Sequence, residues 1–116
     1  PQLEVGDIDV SRDFLDVGDV VSAYLALLEK GTPGQVYNIC SGREQTIRSL
    51  IEQLGDLAQV DMQLIQDPAR LRRADQRRVC GSHARLAETT GWTPEITTQQ
   101  SLRAILSDWE KRVKQE

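Results

Sequence analysis

Between Asp16 and Gly42 the chain carries a helix, a sharp turn and a strand in direct succession, and that order points to an α/β fold. Asp16 can cap a helix, with Asp19 three residues on near its positive end. Val17, Val20, Val21, Tyr24, Leu27 and Leu28 then recur at the spacing of one helical face. Gly31 ends that helix and Thr32-Pro33-Gly34 turns the chain. The following segment, Gln35 to Cys40, holds the β-favouring Val36, Tyr37 and Ile39 of a short strand.

The pattern continues downstream. After the Ser41-Gly42 turn, Thr46 is placed to cap a second helix on which Ile47, Leu50, Ile51, Leu54 and Leu57 share a face. Gly55 sits inside it at a cost of about 1 kcal/mol relative to Ala. Asp61 to Gln66 reads as a short strand broken by Asp67-Pro68, and an irregular arginine-rich stretch follows. Ser82 can cap a short helix through Thr90 that Gly91 stops. Trp92-Thr93-Pro94 leads to a last helix from about Thr98, carrying Leu102, Ile105, Leu106, Trp109 and Val113. The strands are too few and too short for a complete doubly wound sheet, so part of an α/β fold is expected.

At 116 residues the chain is about one domain long, and its start at Pro1 without an initiator Met suggests a fragment or truncated product. With 39% hydrophobic and 28% charged residues, neither disorder nor a membrane protein is indicated. The longest apolar stretch, Val20 to Leu28, is less than half of the roughly 20 residues that cross a bilayer, and the cytoplasm is the expected location. Cys40 and Cys80 show no ligand spacing and read as reduced thiols, so no metal is expected.

Net charge is −4, which argues against general nucleic-acid affinity, yet Arg70, Arg72, Arg73, Arg77, Arg78 and Arg85 crowd into one stretch. Guanidinium forks suit a diphosphate, and Arg72 with Asp75 can bind phosphate and a sugar hydroxyl if both face one cleft. The same residues read equally as a solvated loop pairing with nearby acids. Arg12 likewise reads as an exposed strand residue beside a core Phe14. His83 has no candidate ligand or nucleophile partner nearby in sequence, and Trp92 and Trp109 read as core or subunit-contact residues. No G-x-G-x-x-G occurs, because Gly31 and Gly34 are followed by no third glycine at the required step, and no Tyr is followed four residues later by Lys. A nucleophile elbow is missing too. The chain thus carries no dinucleotide cradle and no self-sufficient catalytic group.

Three blocks, read together, resemble one family. They are Arg12-Asp13-Phe14-Leu15-Asp16-Val17-x-Asp19-Val20-Val21-x-Ala23-Tyr24, then Pro33-Gly34-Gln35-Val36-Tyr37-Asn38-Ile39-Cys40-Ser41-Gly42, then Gly91-Trp92-x-Pro94-Glu95-Ile96. They resemble the C-terminal, substrate-binding part of extended short-chain dehydrogenase/reductases of the NAD-dependent epimerase/dehydratase family. The nearest branches are GDP-mannose 4,6-dehydratase and GDP-4-keto-6-deoxy-mannose reductase. The resemblance implies that residues 1–116 form one substrate-binding segment lacking the Rossmann part that holds NAD(P) and the catalytic Ser/Thr, Tyr and Lys. It therefore implies no catalytic residue and no cofactor site here. By the same resemblance Arg12 and Arg72 approach the diphosphate of a nucleotide sugar, expected to be GDP-linked, and Asp75 its ribose. The sequence departs from the family pattern at Gly18, Arg73, Ala74, Gln76-Arg77 and Ser82. A homo-oligomer is expected, with the missing Rossmann domain as the other partner. The rival expectations are a self-associating remnant of the fold and, more remotely, a nucleic-acid module using the arginines.

Overall fold

The structure is a computed structural model that describes residues 1–71 and 76–116. Its elements run β1 (Gln2–Val5), β2 (Ser11–Asp13), α1 (Val17–Lys30), β3 (Glu44–Thr46), α2 (Ile47–Ala58), β4 (Gln63–Gln66), a 3-10 turn (Pro68–Arg70), α3 (Ala84–Thr90) and α4 (Thr98–Lys114). β1 pairs with β4 in parallel, Leu3 opposite Leu64, while β2 pairs with β3 antiparallel, Arg12 opposite Gln45. The segment after the arginine-rich stretch lies along the other edge of β2. The Ser11 N–H donates to the Arg77 carbonyl at 2.8 Å and the Val79 N–H to the Ser11 carbonyl at 3.1 Å, a parallel bridge of Ser11 with Arg78.

The helix signals act as their chemistry requires. The Asp16 carboxylate accepts from the Gly18 N–H at 2.7 Å, the Thr46 hydroxyl from the Ser49 N–H, and Thr97 forms a reciprocal capping box with Gln100. α3 starts differently. Ser82 does accept from the Ala84 N–H, at 3.3 Å, but it stands one residue ahead of the N-cap position, which His83 occupies without a side-chain bond.

The core joins Ala23 of α1, Leu86 of α3 and Trp92, with Leu15, Leu27, Tyr37 and Ile39 packed around them. This corrects the expected face of α1. Asp19 and Ala23 are the buried positions, whereas Val17, Val21, Tyr24 and Leu28 are more than half exposed. The reason is polar. Asp19, 3% exposed, accepts the Glu95 and Ile96 amides at 3.1 and 3.0 Å, and its carbonyl takes the Trp92 indole N–H, so the helix turns this side inward. The small Ala23 then lets Trp92 and Leu86 approach closely. Phe14, expected in the core, is 36% exposed, and Trp109 is 58% exposed with the Arg112 guanidinium over its ring.

Gln35 to Cys40 is a second correction: it is not paired in any sheet among the described residues. β-favouring side chains make a strand only where a neighbouring strand offers its backbone groups, and none of the described residues does. Conversely β3 went unread, because three residues ahead of a helix cap carry no period.

The packing is open. A compact domain of this length has a radius of gyration of about 13 Å, whereas this chain has 17.2 Å. It exposes 8592 Å², about a third more than the ~6,300 Å² of a typical monomer of its mass. Part of the exposed apolar surface lies on α1, at Val17, Val21, Tyr24, Leu25 and Leu28.

Candidate functional site

Arg12 occupies the middle of β2, half-buried between β3 on one side and segment 76–79 on the other. Its guanidinium donates to the Ser11 carbonyl at 2.7 Å and to the Gln76 carbonyl at 3.1 Å. Gln76 immediately follows Asp75, so Arg12 is fastened to the described flank of the arginine-rich stretch. Arg72 and Asp75, the other two expected site residues, lie outside the described residues, as do Arg73 and Ala74.

The remaining arginines of the run are occupied within the chain. Arg77 pairs with Asp7, Arg78 forks onto both oxygens of Glu44, Arg70 lies 3.4 Å from Asp67, and Arg85 donates to the Val36 carbonyl. For Arg70, Arg77 and Arg78 the reading as pairing with nearby acids holds, while Arg85 bonds a backbone carbonyl instead, and the Arg77 and Arg78 pairs tie the segment to Asp7 after β1 and Glu44 of β3. Charge follows geometry: the guanidinium beside each holds the Asp7 and Glu44 carboxyls below their ordinary range, as Arg48 does for Asp9.

Asp13, which carried no role in the sequence reading, is the most heavily bonded carboxylate here. Its Oδ1 accepts the Ser41 amide at 2.8 Å and the Ser41 hydroxyl at 2.6 Å, and its Oδ2 accepts the amides of Gly42 at 2.9 Å and Gly81 at 3.3 Å. Both glycines suit their places. Gly42 has φ +78°, and a Cβ on Gly81 would come within 2.7 Å of the Cys40 sulfur. Neighbouring an arginine in a strand is no signal for such a role, but a carboxylate facing a Ser-Gly turn is a recurrent one.

Burial pushes the Asp13 carboxyl up, but the bonds from Ser41, Gly42 and Gly81 outweigh it and hold the group below the ordinary aspartate value of 3.8. Burial, then the charge of Asp13, raises the Cys40 thiol. A folded-state value below the unfolded one gives stability that is complete above about pH 4–5 and is lost as pH falls through the folded value. Thermal unfolding midpoints should therefore drop on acidification below pH 4. Asp13→Asn should show a smaller drop, with Asp7, Asp9 and Glu44 supplying what remains. An acid limb of equal size in both proteins would contradict this assignment.

Beside β2 a cleft of 290 Å³ opens between Phe14, Pro94, Ile96 and Ile105, with Ser41, Arg43 and Thr97 at its polar edge. Among the described residues Arg43 makes no ion pair. His83 stacks edge-on against Trp92 with ring centres 5.3 Å apart, and its buried Nδ1 has no hydrogen-bond partner among the described residues. The described residues contain no cluster of three or more metal-ligating side chains and no helix long and apolar enough to cross a membrane.

Residues 1–105 match the family described as GDP-mannose 4,6 dehydratase. The chain is 72% identical to GDP-6-deoxy-D-mannose reductase of Pseudomonas aeruginosa over 99% of its own length and 38% of that protein. It is 27% identical to GDP-6-deoxy-D-talose 4-dehydrogenase of Aggregatibacter actinomycetemcomitans, over 94% of itself and 36% of the relative. It therefore spans little more than a third of either. Among solved structures it superposes on RMD from Pseudomonas aeruginosa complexed with NADPH with a TM-score of 0.91 and 69% identity, covering 96% of this chain and 36% of that one. A UDP-glucose 4-epimerase with UDP-glucose from Thermotoga maritima gives a TM-score of 0.86 at 28% identity, covering 97% and 36%.

Proposed function

The chain belongs to the GDP-mannose 4,6 dehydratase family, and from that premise we propose that it is the nucleotide-sugar recognition lobe of an NAD(P)-dependent GDP-sugar reductase. The observation that carries this reading is the placement of Arg12, half-buried in β2 and bonded to Gln76 beside the Arg72–Asp75 stretch. Arg12 and Arg72 receive the diphosphate, whose charges two guanidinium forks neutralise with paired hydrogen bonds, and Asp75 accepts from the ribose. The likeness to a GDP-6-deoxy-D-mannose reductase favours a reductase over a dehydratase or epimerase and a guanine base over uracil.

Residues 1–116 act as one substrate-binding segment and perform no chemistry by themselves. The dinucleotide and the hydride and proton transfers belong to a Rossmann part outside these residues. The exposed apolar face of α1 contributes to the seam with that part, since apolar side chains grouped on one helix face are normally covered. Binding measurements on the chain test the division of labour. GDP-mannose should bind saturably, and NADPH should not. Folded chain that binds NADPH and ignores GDP-mannose would overturn the proposal.

A further inference from the structure

We propose that Asp13 is a positioning residue for the diphosphate site, clamping segment 76–81, to which Arg12 is bonded at Gln76, onto β2. The inference rests on the assignment of Arg12 to the diphosphate made above. Three separate stretches meet at this one carboxylate: the end of β2, the Ser41-Gly42 turn and the Cys80-Gly81 step. Gln76 is fastened at the other end by Arg12, so the described flank of the arginine loop, Gln76 to Gly81, is tied to β2 at both ends by consecutive side chains. Between those ties the Ser11–Arg78 bridge adds backbone bonds.

Neighbours leave little slack. Gly81 lies against Cys40, so the flank cannot approach further, and Gly42 lies against His83, which Trp92 backs. Releasing Gly42 and Gly81 would let the 76–81 flank and the turn separate, and Arg12 would lose its fixed partner at Gln76. A phosphate site tolerates about half an ångström of misplacement before its paired bonds fail.

Asp13→Asn is the informative change because it is nearly isosteric. The amide oxygen still accepts from Ser41, but an NH₂ now faces the Gly42 and Gly81 amides where Oδ2 accepted from them. Simple charge arithmetic and the positioning account predict opposite signs. Removing a negative charge beside Arg12 should tighten an anionic ligand. Loss of positioning should weaken it, by about three- to tenfold in Kd, the scale of one ordinary hydrogen bond.

The experiment is titration of the 116-residue chain with GDP and with guanosine, for the unmodified protein, Asp13→Asn, Arg12→Ala and the double variant, at a temperature where circular dichroism shows all folded. The expected result is weaker GDP binding in Asp13→Asn, unchanged guanosine binding, and no further loss from Asp13→Asn once Arg12 is Ala. Unchanged or tighter GDP binding in Asp13→Asn, alongside a clear loss in Arg12→Ala, overturns the positioning role alone. No GDP binding by the unmodified chain, or none lost in Arg12→Ala, overturns the diphosphate assignment and the inference with it. If Asp13→Asn does not fold, Ser41→Ala, which removes the 2.6 Å hydroxyl bond, decides by the same comparison. A smaller loss of GDP affinity supports the clamp, and none overturns it.

Discussion

Trp92→Ala should remove most of the chain's folding stability in the absence of any partner. Trp92 is 6% exposed, and it closes a small buried cluster with Ala23 and Leu86, apart from the buried Ile8 and Leu102. Its indole N–H donates to the Asp19 carbonyl and, at 2.9 Å, to the Ser22 hydroxyl. Deleting a buried tryptophan costs about 3–5 kcal/mol, against total stabilities of about 5–15 kcal/mol for ordinary domains. A lobe that buries less than an ordinary domain lies at the low end of that range, so the loss exceeds most of its reserve. Urea titration followed by circular dichroism would measure it. Trp109→Ala is the control: 58% exposed and outside the core, it should change stability by less than about 0.5 kcal/mol. Equal effects at the two tryptophans would contradict the placement of the core.

Arg72→Ala should weaken GDP-mannose binding by about 1.5–3 kcal/mol, and Arg12→Ala by a similar amount, the scale for a hydrogen bond to a charged group. Expressed as affinity that is roughly ten- to a hundredfold. The paired arginines provide the contrast. Arg77 and Arg78 are engaged by Asp7 and Glu44, so their alanine variants should alter GDP-mannose affinity much less. Their effect should appear instead as a looser attachment of segment 76–79. A uniform loss across all four positions would mark a nonspecific basic surface, and the steep salt dependence of such a surface would be its second sign.

Much of this architecture was written in local signals. Asp16 and Thr46 announce two helices because a short polar side chain can satisfy free amides only at such a start. The family likeness rested on the blocks around Arg12, Gln35 and Gly91, and the match over residues 1–105 agrees with it. What local pattern did not convey depends on groups distant in the chain. The buried side of α1 is chosen by Asp19, whose partners are the amides of Glu95 and Ile96, and nothing around residue 19 reports their arrival. Periodicity alone selected the face with more apolar residues, four of which, Val17, Val21, Tyr24 and Leu28, are left exposed. Gln35–Cys40 was read as a strand from its side chains, yet a strand also needs a neighbour's backbone.

The site divides the same way. Arg12 was legible through its motif, and its attachment to Gln76 is a long-range bond invisible to any local pattern. The role of Asp13 needed the Ser41-Gly42 turn and Gly81 to be brought together by the fold. The density of arginines exaggerated the ligand-facing content of this stretch. Arg70, Arg77, Arg78 and Arg85 all find partners inside the chain.

The most direct test of a nucleotide-diphosphate site on this lobe is amide nuclear magnetic resonance of the isotopically labelled chain during titration with GDP. The account predicts saturable shifts concentrated at Ser11–Asp13, the Ser41-Gly42 turn and Gln76–Gly81, and abolished in Arg12→Ala. Shifts centred instead on the exposed face of α1 or on α4, or no shifts in a folded chain, would contradict it.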